Sequence, residues 1–193
     1  SINFIANSGA RMELNADGAF RVNDHLSTLL MGHVSSEQLV QEDGNGDGFL
    51  DTPLTQLYHL INRWNYAGHE YSAQWGVNAL YEDRQSGQLL SIPNRYGIDM
   101  QTIRAEAFTK HAIELSHDYE TSLAFVGQGV YHQFDTQFGN RIYNGQEGDF
   151  LFKAIVQSNL TTDGHHSMKG GVSFSGNWLT EQVEALPMLQ TNN

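Results

Sequence analysis

The sequence contains no cysteine. That excludes a disulfide scaffold, a thiolate zinc site and a cysteine nucleophile. It also lacks any run of ~18 apolar residues, which excludes a transmembrane helix. A transmembrane β-barrel stays open, because its strands alternate and their mean hydropathy is low. Bases are few: 10 Lys and Arg stand against 22 Asp and Glu, for a formal charge of -12. A nucleic-acid binder needs a basic patch, so no nucleic-acid partner is expected. The acidic surplus fits a cation-binding surface or a soluble acidic exterior. Only 3 prolines occur, against 19 glycines. With 17% charged and 11% aromatic residues, the chain is too aromatic and too weakly charged for disorder. Its 193 residues suit one domain, or two at most. The first residue is Ser1, with no methionine, basic segment or apolar segment at the start, so a mature protein or a fragment without a signal peptide is expected.

Catalytic signatures are missing too. There is no G-x-S-x-G, no H-E-x-x-H, no phosphate loop and no dinucleotide fingerprint. Acids are plentiful, but no spacing singles out a general acid and a general base. The chain is not expected to be an enzyme.

What is present is a period of two. Tyr71, Ala73, Trp75, Val77, Ala79 and Tyr81 fall on one side, while Ser72, Gln74, Gly76, Asn78 and Glu82 fall on the other, Leu80 being the exception. Phe150, Phe152, Ala154 and Val156 repeat the pattern, as do Met12, Leu14 and Ala16. From His166 to Trp178, nonpolar, small or aromatic residues alternate with polar ones. Strict alternation gives one apolar and one polar face, hence antiparallel strands. Strands are predicted near 1–8, 10–20, 26–36, 56–66, 71–84, 98–114, 120–135, 146–160 and 165–179.

The predicted connections alternate in length. Short ones fall at Asn23-Asp24, Gly68-His69, 116–119 and 161–164, and long ones at 37–55, 85–97 and 136–145. Short turns at one end and long loops at the other are the layout of an up-and-down outer-membrane barrel. Several predicted strands exceed the ~9–11 residues needed to cross a membrane. Trp64, Tyr66 and Tyr71 sit by a short turn, and Tyr58, Tyr81, Tyr131 and Trp178 towards the long loops, as two aromatic girdles would. A β-sandwich core also gathers aromatics, but with shorter strands and closer turns. The tail 187–193 is irregular and supplies no closing strand, so the barrel is expected to be incomplete.

The sharpest local signal is the run from Asp43 to Asp51, which fits the calcium-loop pattern D-x-[DN]-x-[DN]-G. Asp43, Asn45 and Asp47 supply hard oxygens at alternate positions, and Gly48 permits the sharp turn. Phe49 would offer its backbone carbonyl, and Asp51 a carboxylate directly or through water. The twelfth position is Leu54 where a bidentate Glu is usual, so a weakened or rearranged structural Ca2+ site is expected. The competing reading is a polar surface loop that binds nothing. Among the 9 histidines, His33 and His59 flank this loop on strands that should pair. They could meet there, although turn and lumen histidines without a metal are the simpler reading. His165 and His166 would point to opposite faces. Arg63, Arg104, Glu106, Lys110 and Lys153 share the polar parity and would form ion-pair ladders or line a solute path.

The order of several runs resembles the barrel region of TonB-dependent outer-membrane receptors, with the Bacteroidetes branch nearest in character. These runs are Leu14-Asn15-Ala16-Asp17-Gly18, Leu30-Met31-Gly32-His33, Asp43 to Pro53 and Asn62-Arg63-Trp64-Asn65-Tyr66. Ala79 to Gln85, Tyr96-Gly97-Ile98-Asp99 and Arg104 to Lys110 continue it. The resemblance covers about residues 2–178 and implies an all-β, antiparallel, up-and-down barrel of roughly 22 strands around an N-terminal plug. It implies energy-coupled import of a scarce solute such as a siderophore, haem or cobalamin, with TonB acting through the plug. The implied partners are outer-membrane lipid of a Gram-negative cell, TonB and a small-molecule ligand. Residues 1–193 contain neither plug nor TonB box and only about nine strands, so they would be an interior slice of the wall. Two rivals remain at this point. One is a passive channel or small structural barrel without a plug. The other is a secreted calcium-binding β-sandwich, such as an adhesin or lectin module.

Overall fold

The computed structural model describes residues 1–8, 10–37, 43–162 and 165–185. They form nine strands: β1 (Ile2–Ala6), β2 (Met12–Arg21), β3 (Leu26–Glu37), β4 (Leu54–Ala67), β5 (Tyr71–Gly87), β6 (Gly97–Ser116), β7 (Thr121–Phe138), β8 (Arg141–Asn159) and β9 (Ser167–Ala185). Each pairs antiparallel with its neighbours in sequence, giving one sheet in the order β1 to β9. The architecture is all-β and up-and-down. The sheet is open: among the described residues β1 and β9 have no second partner, so it is not closed into a barrel, as expected of an incomplete up-and-down structure.

The register sorts the residues into two faces. One face carries Tyr71, Ala73, Trp75, Val77, Ala79 and Tyr81 of β5, paired with Ile113, His111, Thr109, Ala107, Ala105 and Ile103 of β6. Leu123 to Tyr131 of β7 and Val156 to Gly148 of β8 continue it at alternate positions. Met168 to Trp178 of β9 complete it. Further along each strand the same face turns polar: Asp83 and Gln85, Gln101 and Asp99, Gln133 and Asp135, Gln146 and Asn144, Thr180 and Gln182. The result is an apolar band of even height with a polar margin towards the long loops. Tyr58, Tyr81, Tyr131 and Trp178 lie at that margin, while Tyr66 and Tyr71 lie at the short-turn end.

Almost nothing covers this band. Leu50, Leu54 and Ala73 are the buried apolar residues among those described, whereas Val77 is 53% exposed, Phe174 66% and Trp178 46%. Aromatic rings pack across strands on the face itself. Trp64 and Trp75 stack at 6.2 Å, and Phe150 meets Phe174 at 5.5 Å. Aromatics also shield paired glycines. Phe134 lies over Gly145, Trp178 over Gly148, Phe150 over Gly176 and Phe108 over Gly76. Each is a direct register pair, so the ring fills space that the glycine leaves empty on the pleat.

The connections depart from expectation in one place. The predicted long loop 136–145 does not form. β7 and β8 run on to Phe138 and Arg141, joined by a two-residue turn at Gly139-Asn140. Gly139 has φ +57°, the left-handed value that a tight hairpin needs at its first central position. β9 likewise continues to Ala185, beyond the expected 179. The segments 38–42 and 163–164 and the tail 186–193, which hold parts of two predicted connections and the irregular end, lie outside the described residues.

Candidate functional site

Two assemblies could carry chemistry: the loop from Asp43 to Asp51, and a belt of side chains on the polar face. The loop is organised by its own carboxylates. Asp43 Oδ1 accepts N–H bonds from Gly46 (2.8 Å) and Asp47 (3.1 Å), and Asp43 Oδ2 accepts one from Gly48 (3.0 Å). Asn45 Oδ1 accepts from the Asp47 N–H, and Asp47 Oδ1 from the Phe49 N–H. Asp51 Oδ2 reaches back to the Gly44 N–H at 2.7 Å. These bonds wind the chain around Asp43, with Gly46 and Gly48 at φ +72° and +82°.

The next loop anchors this one. Leu50 N–H donates to Gly87 O and Leu89 N–H to Gly48 O, forming an isolated bridge between Phe49 and Gln88. That bridge uses Gly48 O and Leu50 N, so the Phe49 carbonyl takes no part in it. The five expected ligand residues therefore share one compact loop. Among the described residues no group of three His, Asp or Glu side chains is gathered closely enough to hold an ion. Asp43, Asp47 and Asp51 would have to draw together around a cation.

The belt on the polar face was only partly legible in advance. His33 and His59 are direct register partners on β3 and β4. His33 Nδ1 lies 2.6 Å from Asn15 Oδ1, and His59 Nε2 lies 2.6 Å from Asn78 Oδ1. Asn78 Nδ2 donates to Glu106 Oε2 at 3.3 Å, and Glu106 is paired with Arg104 at 2.6 Å. Farther along the sheet, His132 faces Glu147 at 3.7 Å. Along the polar face these side chains form three separate groups: Asn15 with His33, His59 with Asn78, Glu106 and Arg104, and His132 with Glu147. The expected ion-pair ladder is only partial. Arg63 lies over the Phe108 ring at 5.5 Å, and Lys110 and Lys153 make no ion pair among the described residues.

Polar groups on the apolar face are satisfied internally. Asn62 Oδ1 accepts from Trp64 Nε1 at 2.6 Å, while Asn62 Nδ2 donates to Thr28 Oγ1 and Leu29 O. Both ring nitrogens of His111 are engaged, by the Tyr71 and Thr109 hydroxyls at 2.6 Å each. Such closure is what a polar group needs where water is scarce.

At the short-turn end, His117 pairs with Glu114 at 2.9 Å. The hydrogen bond to that carboxylate, followed by its charge, holds the His117 pKa above the ordinary 6.5. The folded-state value is the higher one, so the contact stabilises the turn below the unfolded pKa and is lost as pH rises through the folded value. Glu114→Gln is expected to bring the His117 titration midpoint back towards 6.5, read from its ring proton shifts in NMR.

No protein-family model matches the chain, and no curated protein or solved structure matches it either.

Proposed function

We propose that the chain is part of the wall of a TonB-dependent receptor in a Gram-negative outer membrane, serving energy-coupled uptake of a scarce small molecule. The observation that carries the membrane part is the even apolar band. Its spans, Tyr71 to Tyr81, Ile103 to Ile113 and Met168 to Trp178, match the ~9–11 residues with which a tilted strand crosses a bilayer. Polar residues take over on the same face at the loop side, and Tyr58, Tyr81, Tyr131 and Trp178 stand at the changeover, where an interfacial girdle belongs. The internally satisfied Asn62 and His111 support the same reading, since an unpaired polar group costs several kcal/mol in hydrocarbon.

The open edges support a slice of a larger barrel, because a bilayer tolerates no unpaired strand edge. The receptor part rests on the order of the sequence runs from Leu14 to Lys110. In this reading the polar face lines the lumen, the chain carries no catalytic residues, and transport belongs to the whole receptor. The loop from Asp43 to Asp51 takes a structural Ca2+, with Asp43, Asn45, Asp47, the Phe49 carbonyl and Asp51 as ligands. Its role is to stiffen a long loop.

The reading frame on either side of this segment tests the proposal. A plug with a TonB box upstream and further alternating strands downstream are expected. A signal sequence ending at Ser1 together with a stop codon after Asn193 would overturn the receptor reading.

A further inference from the structure

The polar belt contains a pair of histidines whose hydrogen bonding leaves matched nitrogens bare. Asn78 Nδ2 donates to the Glu106 carboxylate, which fixes the amide so that Oδ1 faces His59. An amide oxygen only accepts, so His59 Nε2 carries the proton and, in the neutral ring, Nδ1 keeps its lone pair. At His33 only the facing atom decides: Nδ1 lies against Asn15 Oδ1, an acceptor, so Nδ1–H donates and Nε2 keeps the lone pair. Among the described residues no donor meets either bare nitrogen. His111 is the contrast, with both nitrogens spent on hydroxyls.

His33 and His59 are direct cross-strand partners, and both are half-buried on the polar face. Side chains so paired have Cβ atoms ~4.5–5.5 Å apart, a spacing that lets two imidazoles share one ion. Each ring is oriented by an acceptor on its other nitrogen, and one of those acceptors is itself held by Glu106 and Arg104. Metal-binding histidines are characteristically braced in this way, with tautomer and orientation set before the ion arrives.

We infer that His33 and His59 form a two-imidazole site for a borderline divalent cation, with Cu2+ bound most tightly and Zn2+ or Ni2+ less so. His33 Nε2 and His59 Nδ1 are the protein ligands, and water completes the coordination. No third carboxylate or imidazole is gathered there among the described residues, so the site is open and exchangeable. It is distinct from the loop from Asp43 to Asp51, whose hard oxygens suit Ca2+. The inference rests on register and tautomer and does not depend on the receptor reading.

Copper titration of the whole chain, followed by electron paramagnetic resonance, tests it. The first equivalent of Cu2+ is expected to show coupling to two imidazole nitrogens. His33→Gln and His59→Gln should each abolish that two-nitrogen signal. Asn78→Leu, which keeps both ligands but removes a brace, should weaken binding by about 10–100-fold. A double His165→Gln, His166→Gln variant should leave the first equivalent unchanged. Fewer than two coupled nitrogens in the unaltered protein would overturn the site without any variant having to fold. So would first-equivalent binding that survives His33→Gln and His59→Gln but vanishes with His165 and His166.

Discussion

Val77→Arg is expected to destabilise the protein in a bilayer by about 2–4 kcal/mol if the apolar band faces lipid as proposed, the penalty for a cation near the bilayer midplane. Val77 lies mid-band on β5, opposite Asn62 and Ala107, and is 53% exposed. No described side chain of opposite charge shares its face nearby to neutralise an arginine. The control is Ser175→Arg on the polar face of β9, which should change stability by no more than about 0.5 kcal/mol, as surface substitutions usually do. Urea unfolding in phospholipid vesicles measures both. If water bathed the band, Val77→Arg would be as mild as its control, and the lipid-facing assignment would fail.

Asp43→Ala should have the second large effect. One carboxylate accepts the N–H groups of Gly46, Asp47 and Gly48. Hydrogen bonds to a charged group contribute ~1.5–3 kcal/mol each where they are shielded, and solvent around this exposed loop reduces that figure. A loss of about 1–3 kcal/mol in the local opening energy is expected, read as faster amide exchange at Gly46, Asp47 and Gly48. Calcium protection of those same amides should disappear with it. Leu54 and Ala73, both buried, sit in the sheet proper, and exchange on β4 and β5 should not change. Exchange at the loop amides that is equally slow in Asp43→Ala would mean that the Leu50 and Leu89 backbone bonds alone hold the loop.

The sheet was legible in the sequence because side chains on a pleat alternate, and the register shifts only once in the described sheet, between Glu114 and Ser116. Once Tyr71 to Tyr81 and Met168 to Trp178 are assigned a face, antiparallel pairing carries that face through every neighbour. Leu80 breaks the pattern in the sequence and lies on the polar face in the structure, between His59 and Arg104. The region 136–145 was not legible. Its Gly139 and Gly145 and its Thr136, Gln137, Asn140, Arg141 and Asn144 have the composition of a loop. What makes Gly145 part of a strand lies on the neighbouring strand, where Phe134 covers it. The calcium-like loop was readable as a motif, but its attachment to Gly87 and Leu89 was not, since backbone bonds between loops leave no periodic trace. That His33 and His59 stand on paired strands could be anticipated from their places on either side of that loop, although histidines without a metal were the simpler reading. Asn15 and Asn78, which fix the tautomers, needed the register to be found.

The central claim is that one face of this sheet meets lipid. All 3 tryptophans of the chain report on it. Trp64 and Trp75 stack within the band, and Trp178 stands at its margin. Fluorescence of the whole receptor in vesicles of brominated phospholipid, with tryptophans outside this segment replaced by phenylalanine, measures their contact with acyl chains directly. The account predicts strong quenching by bromine in the acyl chains and little by acrylamide in the water. Strong acrylamide quenching with no response to brominated lipid would contradict it.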